Sequence, residues 1–506
     1  MQRRDLLLGA TFAAASFSPA SARTLLDDEM FPFGGFDEIV ARAEQLARLP
    51  YAMGQPALPA SLRSLRYDAY RSIRFDRAQA LWAAEDLPFR CEPFHRGFLF
   101  ERRVALHEVS GNAVRRLRFD TSQFSYGEGI VPPTEELGFA GARLLYRLNQ
   151  PDRFDELAVF LGASYFRALG RGHAYGISAR GLAIRTAHPG GEEFPWFRAI
   201  WLERPQPDAT SLVVMALLDS ESVAGAYRFT IRPGETTVIE VEARLFARRA
   251  IVWAGVAPLT SMYWHGPLER RQADDFRPAV HDSDGLLISA GNGETIWRPL
   301  ANPRTLQLSA FAGEAPLGFG LMQRKRRFAD YEDTEAAYHR RPGLWVEPLQ
   351  GFGDGQVVLV EIPTSGEIHD NIAAMWRPRA QPPAGAEWVQ HYRLHWCSEA
   401  PIRADSGLAR FTSARSGVGS APGQRRFVLD AEGAGLDASA AEEFDADLWA
   451  SAGSLLNRTI EHNRERGGLR LAFELRPGGA PLVELGARIK GASGPLSETW
   501  LYRWTE

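Results

Sequence analysis

Thr236-Thr237-Val238-Ile239-Glu240-Val241-Glu242-Ala243-Arg244-Leu245 alternates apolar and polar side chains just after the turn pair Pro233-Gly234. Alternation sends successive side chains to opposite faces of an extended chain, so the stretch predicts a strand with one buried face. Outward from it, Leu212 to Leu218 and Gln356 to Ile362 are apolar runs of strand length, and Tyr392 to Trp396 reads as another strand. With 47 glycines and 32 prolines, turn signals recur along the chain without a fixed repeat. Helical spacing is found from Phe36 to Leu49, where Ile39, Val40, Leu46 and Leu49 share a side and Asp37 and Glu38 fall in the first turn. Ala440 to Leu456 is a second helix candidate by propensity alone. Many strands with few helices predict an all-β protein of packed antiparallel sheets, hence a large β-sandwich.

A chain of 506 residues suits more than one domain. Ser398-Glu399-Ala400-Pro401 reads as a linker, and the residues beyond it fit an immunoglobulin-like sandwich in size. The expected division is an export signal at 1–22, a large β-sandwich at 23–397 and an immunoglobulin-like domain at 398–506. Arg3-Arg4 precede an apolar run from Leu6 to Phe17 and an Ala20-Ser21-Ala22 ending, the form of a twin-arginine export signal; a general secretory signal is the alternative. No later run approaches the roughly 20 apolar residues of a membrane span, so no transmembrane segment is expected in the mature chain. Net charge is -4, with 58 basic residues spread along the chain, which argues against a nucleic-acid partner. Cys91 and Cys397 are expected to be buried and unpaired. No histidine or acid spacing indicates a metal, and no cofactor is expected.

The stretch from Phe276 to Trp376 is rich in acids, aromatics and turns. It holds His281-Asp282-Ser283-Asp284-Gly285, Gly291-Asn292-Gly293-Glu294, Tyr331-Glu332-Asp333, Trp345-Val346-Glu347 and His369-Asp370-Asn371-Ile372. Paired carboxylates are what glycosidic cleavage needs, one to protonate the leaving oxygen and one to activate water. Aromatic rings offer flat faces for a pyranose, and seven of the thirteen tryptophans lie between Trp253 and Trp396.

Over nearly its whole mature length the chain resembles the bacterial periplasmic glucan biosynthesis proteins of the G and D types. The resemblance is carried by Tyr67 to Phe75, Gly162 to Arg167, Tyr175 to Ile184, Arg277 to Gly285 and Arg341 to Pro348. The twin-arginine leader is more like the D type. The resemblance implies a large galactose-mutarotase-like β-sandwich followed by a small immunoglobulin-like one, a periplasmic location, and action on the β-1,2-linked backbone of osmoregulated glucans. It implies an inverting endo-β-1,2-glucanase with Asp370 as general acid and Asp282 as base, the proton reaching Asp282 through a substrate hydroxyl. Asp370 is then expected to be kept protonated by burial beside Trp376 or another carboxylate, and Asp282 to be ionised in a polar or arginine-flanked setting. Asp284, Glu294, Tyr331, Glu332, Trp345, Glu347, Trp297, Trp264 and Arg180 are the candidate substrate-binding residues, with Trp264, Trp297 and Trp345 partly facing the groove. An inner-membrane glucan synthase is a further partner the family suggests. Ile288-Ser289-Ala290 and Thr295 depart from the family pattern, which carries aromatics there.

Ordinary readings stand beside these. Asp282 to Gly285 is common turn chemistry, Asp370-Asn371 can open a hairpin, and Asp284 can hold its loop through backbone N–H groups. Glu361 alternates within an apolar strand and reads as solvent-facing. His281 is expected to make a structural hydrogen bond, and Arg167 and Arg180 can hold sugar hydroxyls or pair with carboxylates. A non-hydrolytic glucan-binding protein would use the same residues, and a polysaccharide lyase is suggested by fold kinship alone.

Overall fold

The computed structural model describes residues 30–52, 58–269, 274–313, 315–402, 407–433, 436, 444–492 and 494–506. The expected export signal lies outside the described residues. The protein is all-β, and its described residues form two compact units. The first comprises the residues up to Leu259 with Val346–Gly355 and Met375–Cys397, and the second Thr260–Trp345, Gln356–Ala374 and Ser398–Glu506.

In the first unit, one sheet runs Phe31–Pro32, Ala113–Arg116, Ala105–Ser110, Trp196–Glu203, Leu212–Asp219, Val223–Arg232, Thr237–Ala247, Glu387–Cys397. The second runs Ser178–Arg180, Tyr165–Ala168, Arg153–Leu161, Phe139–Gln150, Phe89–His95. The predicted alternation is realised, with Thr237, Ile239, Val241, Ala243 and Leu245 buried and the residues between them half-buried. The two sheets face each other through aromatic rings. Phe166 of one lies 5.0 Å from Phe229 and 6.1 Å from Trp396 of the other, and Phe160 is 5.2 Å from Phe229. The predicted helix is Phe36–Arg48; Ile39 and Ala43 pack on Trp201, Met215, Ala226 and Phe246 of the first sheet. Burying a side chain such as Ile39 contributes about 2 kcal/mol, which holds the helix on that face. Cys91 and Cys397 are both buried, and neither is in a disulfide.

In the second unit, the strands Gly318–Met322, Gly285–Ser289, Thr295–Pro299, Thr499–Thr505, Leu482–Gly491 and Asp445–Ala450 lie side by side. A four-stranded sheet of Arg410–Val418, Arg425–Glu432, Gly468–Arg476 and Ser454–Asn463 packs its Phe427 and Phe473 on Trp500, at 6.2 and 6.4 Å. Thr499–Thr505 pairs in parallel with Thr295–Pro299, Trp500 opposite Trp297, which welds the C-terminal strands to the 285–322 meander. The helix expected over 440–456 is corrected: Asp445–Ala450 is a strand on Leu482–Gly491 and Ser454 begins another. Six paired positions along Asp445–Ala450 outweigh local helical propensity. Residues 440–443 lie outside the described residues.

Candidate functional site

Asp282 and Asp370 both belong to the second unit. Asp282 sits in a kink between the strands Val280–His281 and Gly285–Ser289, so its Asp-Ser-Asp-Gly segment is not a hairpin turn. The backbone explains the kink: the Asp282 N–H donates to the Met262 carbonyl at 2.8 Å and the Asp284 N–H to the Met322 carbonyl at 2.9 Å, two different neighbours. Gly285 is extended, and its missing side chain makes room for the Trp297 ring, whose atoms would lie 2.2 Å from a Cβ there. Asp282 is fully buried, and its carboxylate accepts a hydrogen bond from the Arg341 guanidinium. A buried carboxylate and a buried guanidinium in contact satisfy each other's hydrogen-bonding groups.

Arg341 is itself fixed. Its Nε and Nη2 donate to the Ala336 carbonyl at 3.0 and 2.9 Å, and its guanidinium lies 4.3 Å over the Tyr338 ring. Asp333 shapes that turn by accepting the Glu335 and Ala336 N–H groups at 3.0 and 2.7 Å. His281 makes the structural bond expected of it, Nδ1 to Gln323 Oε1 at 2.9 Å, and stacks on Tyr263 at 5.3 Å.

Asp370 is half-buried near the end of the loop that follows the strand Gly355–Glu361. Three anchors pin this loop. Asn302 Nδ2 donates to the Thr364 carbonyl at 2.9 Å, and the Thr364 N–H returns to Asn302 Oδ1 at 2.9 Å. Glu367 accepts from Arg277 Nη1 at 2.9 Å and from the Tyr338 hydroxyl. Buried Asn371 donates to the Tyr263 and Ile362 carbonyls, each at 2.9 Å, and accepts the Tyr263 N–H at 2.8 Å. Asp370-Asn371 therefore opens a strand rather than a hairpin. Arg277 also binds Asp333 at 2.8 Å and Asp275 at 2.7 Å. That bonding from Arg277 pulls the Asp275 carboxyl below its usual range despite some opposing desolvation.

Tyr263 pairs with His281 across the short ladder Tyr263–His265/Val280–His281. Asp370 and Asp282 are thus each one residue from the same junction, Asn371–Tyr263–His281.

The other candidates divide. Asp284 accepts the Arg324 N–H at 3.0 Å, holding its loop through the backbone. Glu294 accepts from the Thr499 hydroxyl at 2.6 Å, beside the tight turn in which Gly293 has φ +88°. Tyr331 is fully buried, its hydroxyl donating to the Lys325 carbonyl at 3.2 Å, so it is part of the packed core rather than a sugar platform. Glu332 is exposed with φ 55°. Trp264 is half-buried, as expected, whereas Trp297 and Trp345 are only 3% exposed. That corrects the groove-facing assignment for these two: the rings fill the spaces left by Gly285 and Gly318, and Arg324 covers Trp297 at 3.6 Å. Trp297 lines a cavity of about 30 Å³ with Asp284 and Lys325, room for a water or two rather than a sugar.

Glu361 is also corrected, since it is buried and bonded to Arg298 Nη2 at 3.0 Å and to the Ala301 N–H at 2.8 Å. Arg180, Glu347 and Trp376 belong to the first unit. There Arg180 binds Glu192 at 2.6 Å, Glu347 binds His395 at 2.9 Å, and Trp376 packs on Phe352. Arg167 lies 5.9 Å over the Tyr175 ring. Ile288 and Thr295, at the departures from the family pattern, are buried. Sequence reasoning assigned no role to Arg277, Asn302, Tyr338, Arg341 or Glu367. Arg277 and Arg341 stood within the matching segments, each just before a proline, and that was their only signal. No group of His, Cys, Asp or Glu among the described residues is arranged to hold a metal, and none of the described helices is long and apolar enough to cross a membrane.

Comparison with known proteins gives a family model described as "Periplasmic glucan biosynthesis protein, MdoG", matching residues 34–504. Glucans biosynthesis protein G of Rhodopseudomonas palustris (strain BisA53) is 48% identical over 508 residues, covering all of both chains. Glucans biosynthesis protein G of Vibrio cholerae (strain O395) is 49% identical, covering 93% of this chain and 87% of its own. The protein of the same name from Shewanella putrefaciens (strain CN-32) is 49% identical with the same coverage. All three carry the G-type name, whereas the leader had pointed to the D type.

Proposed function

Because the chain belongs to the family of periplasmic glucan biosynthesis proteins, we propose that it acts in the periplasm on a β-1,2-linked glucan and hydrolyses it with inversion. Asp370 donates a proton to the leaving glycosidic oxygen while water attacks the anomeric carbon from the opposite face. The water's proton passes through a substrate hydroxyl to Asp282. The observation that carries this reading is the shared junction: Asp282 and Asp370 each flank Asn371–Tyr263–His281, one carboxylate buried against Arg341 and the other on a loop pinned at three points. A buried, arginine-bound carboxylate does not meet bulk water, which suits a base reached through a relay.

The same clamp favours a second reading. Asp282 is already engaged by Arg341, and a protein that holds the glucan for synthesis or branching without cutting it needs no base. Incubation of the mature protein with linear β-1,2-glucan separates the two. Shortening with release of the inverted anomer, lost in folded Asp370→Asn and Asp282→Asn variants, establishes the hydrolase. Tight binding with no shortening overturns it in favour of the binding protein.

A further inference from the structure

In the first unit, the neighbouring strands Phe89–His95, Phe139–Gln150 and Arg153–Leu161, with Arg77, Asp86 and Asp152, line a cavity of about 440 Å³. Four arginines line it: Arg77, Arg90, Arg147 and Arg153. Phe154 is the frame for two of them, since the Arg90 guanidinium carbon lies 3.8 Å and that of Arg147 4.5 Å from its ring centroid. Stacked in this way, the guanidinium planes are preorganised and keep their edge N–H groups for in-plane acceptors.

Arg147 is hydrogen-bonded to Asp86 at 2.6 Å. Among the described residues the other three make looser ion pairs: Arg90 to Asp86 at 3.5 Å, Arg77 to Glu92 at 3.7 Å, and Arg153 to Asp155 at 3.2 Å. Among the described residues, none accepts from the buried Arg90 Nε. A buried donor left unmade costs free energy unless an acceptor arrives. With Asp155 paired to Arg153, the four guanidiniums face four carboxylates, Asp86, Glu92, Asp152 and Asp155, so an anion enters by displacing a loose carboxylate contact.

We propose that this cavity is a binding site for a phosphate-type oxyanion, received by the guanidinium edges of Arg90, Arg77 and Arg153 in place of their loose carboxylate contacts. The fork geometry of arginine matches two oxygens of such an anion at once. The site is independent of Asp282 and Asp370 and stands whether or not the chain cleaves glucan.

Titration calorimetry of the mature protein at 0.15 M salt tests it, with inorganic phosphate and glucose 6-phosphate as separate probes. Arg90→Gln and Arg153→Gln are each expected to weaken binding about tenfold, with Arg379→Gln, an exposed arginine elsewhere in this unit, as control. Arg153 is largely exposed, so its variant keeps the test valid if Arg90→Gln disturbs folding. Tighter binding of glucose 6-phosphate assigns the site to phosphate carried on a sugar, and equal binding assigns it to the free anion; both support the proposal. Absence of binding at millimolar probe, or equal weakening by Arg379→Gln, overturns it.

Discussion

The buried carboxylate of Asp282 is bound by the buried guanidinium of Arg341, 59 residues further along the chain. Removing one partner of such a pair leaves an uncompensated charge in a dry interior. Arg341→Ala is therefore expected to destabilise the protein by about 3–5 kcal/mol, read as a lower urea midpoint. The double variant Asp282→Asn/Arg341→Ala should recover part of that loss. A single-variant loss below about 1 kcal/mol would mean that solvent already reaches the pair.

Asn371 ties the Asp370 loop to Tyr263 through two hydrogen bonds and to Ile362 through a third. Asn371→Ala strands the Tyr263 N–H and the Tyr263 and Ile362 carbonyls, at about 1–3 kcal/mol for a buried group left unsatisfied. Faster hydrogen exchange at the Tyr263 amide is the specific readout. Glucan turnover should fall in this variant although both aspartates are untouched. Unchanged exchange at Tyr263 would show that the tie is not what orders the loop.

Gly285→Ala places a methyl 2.2 Å from the Trp297 ring, and Gly318→Ala places one 2.2 Å from Trp345. Neither ring can yield cheaply in a packed interior, so each substitution should cost about 1–3 kcal/mol. Tryptophan fluorescence and thermal midpoints of the two variants check this. Wild-type midpoints in both would show that the rings have room to turn.

Two groups set separate acid limits on stability. Burial pushes the His95 imidazole down to about 4, against opposing help from its bond to the Arg96 carbonyl. The folded state thus prefers neutral His95, and its stabilisation, complete above the ordinary value of 6.5, is lost as pH falls from 6.5 towards 4. The Ser420 hydroxyl, then the Ser420 N–H, Arg426 and Asn457, hold the Glu474 carboxyl down to about 2 against desolvation. Its contribution is present above 4.5 and disappears between 4.5 and 2. Urea midpoints measured from pH 2 to 8 should flatten in the upper window for His95→Gln and in the lower window for Glu474→Gln. Identical pH profiles in variant and wild type would refute the assignment.

Period-two alternation at Thr236 to Leu245 was enough to announce strands, because a half-buried sheet writes its period directly into the chain. The helix from Phe36 is legible for the same reason, its apolar stripe recurring at helical spacing against the sheet. Where sequence reading failed, the deciding partner was remote. Glu361 looks solvent-facing until Arg298, 63 residues away, is brought onto it. Trp297 and Trp345 look like sugar platforms until Gly285 and Gly318 are seen to receive their rings.

The all-β class, the leading helix and the family are written in the chain alone, since periodicity, composition and long collinear motifs are local properties. That Arg341 lies on Asp282, that Asn371 and Tyr263 join the Asp282 and Asp370 segments, and that Arg77 joins three strand arginines at one cavity became visible only in the folded chain. Those facts depend on which strand pairs with which and in what register. Pairing is settled by burial and hydrogen bonding summed over the whole sheet, not by any stretch of residues read alone.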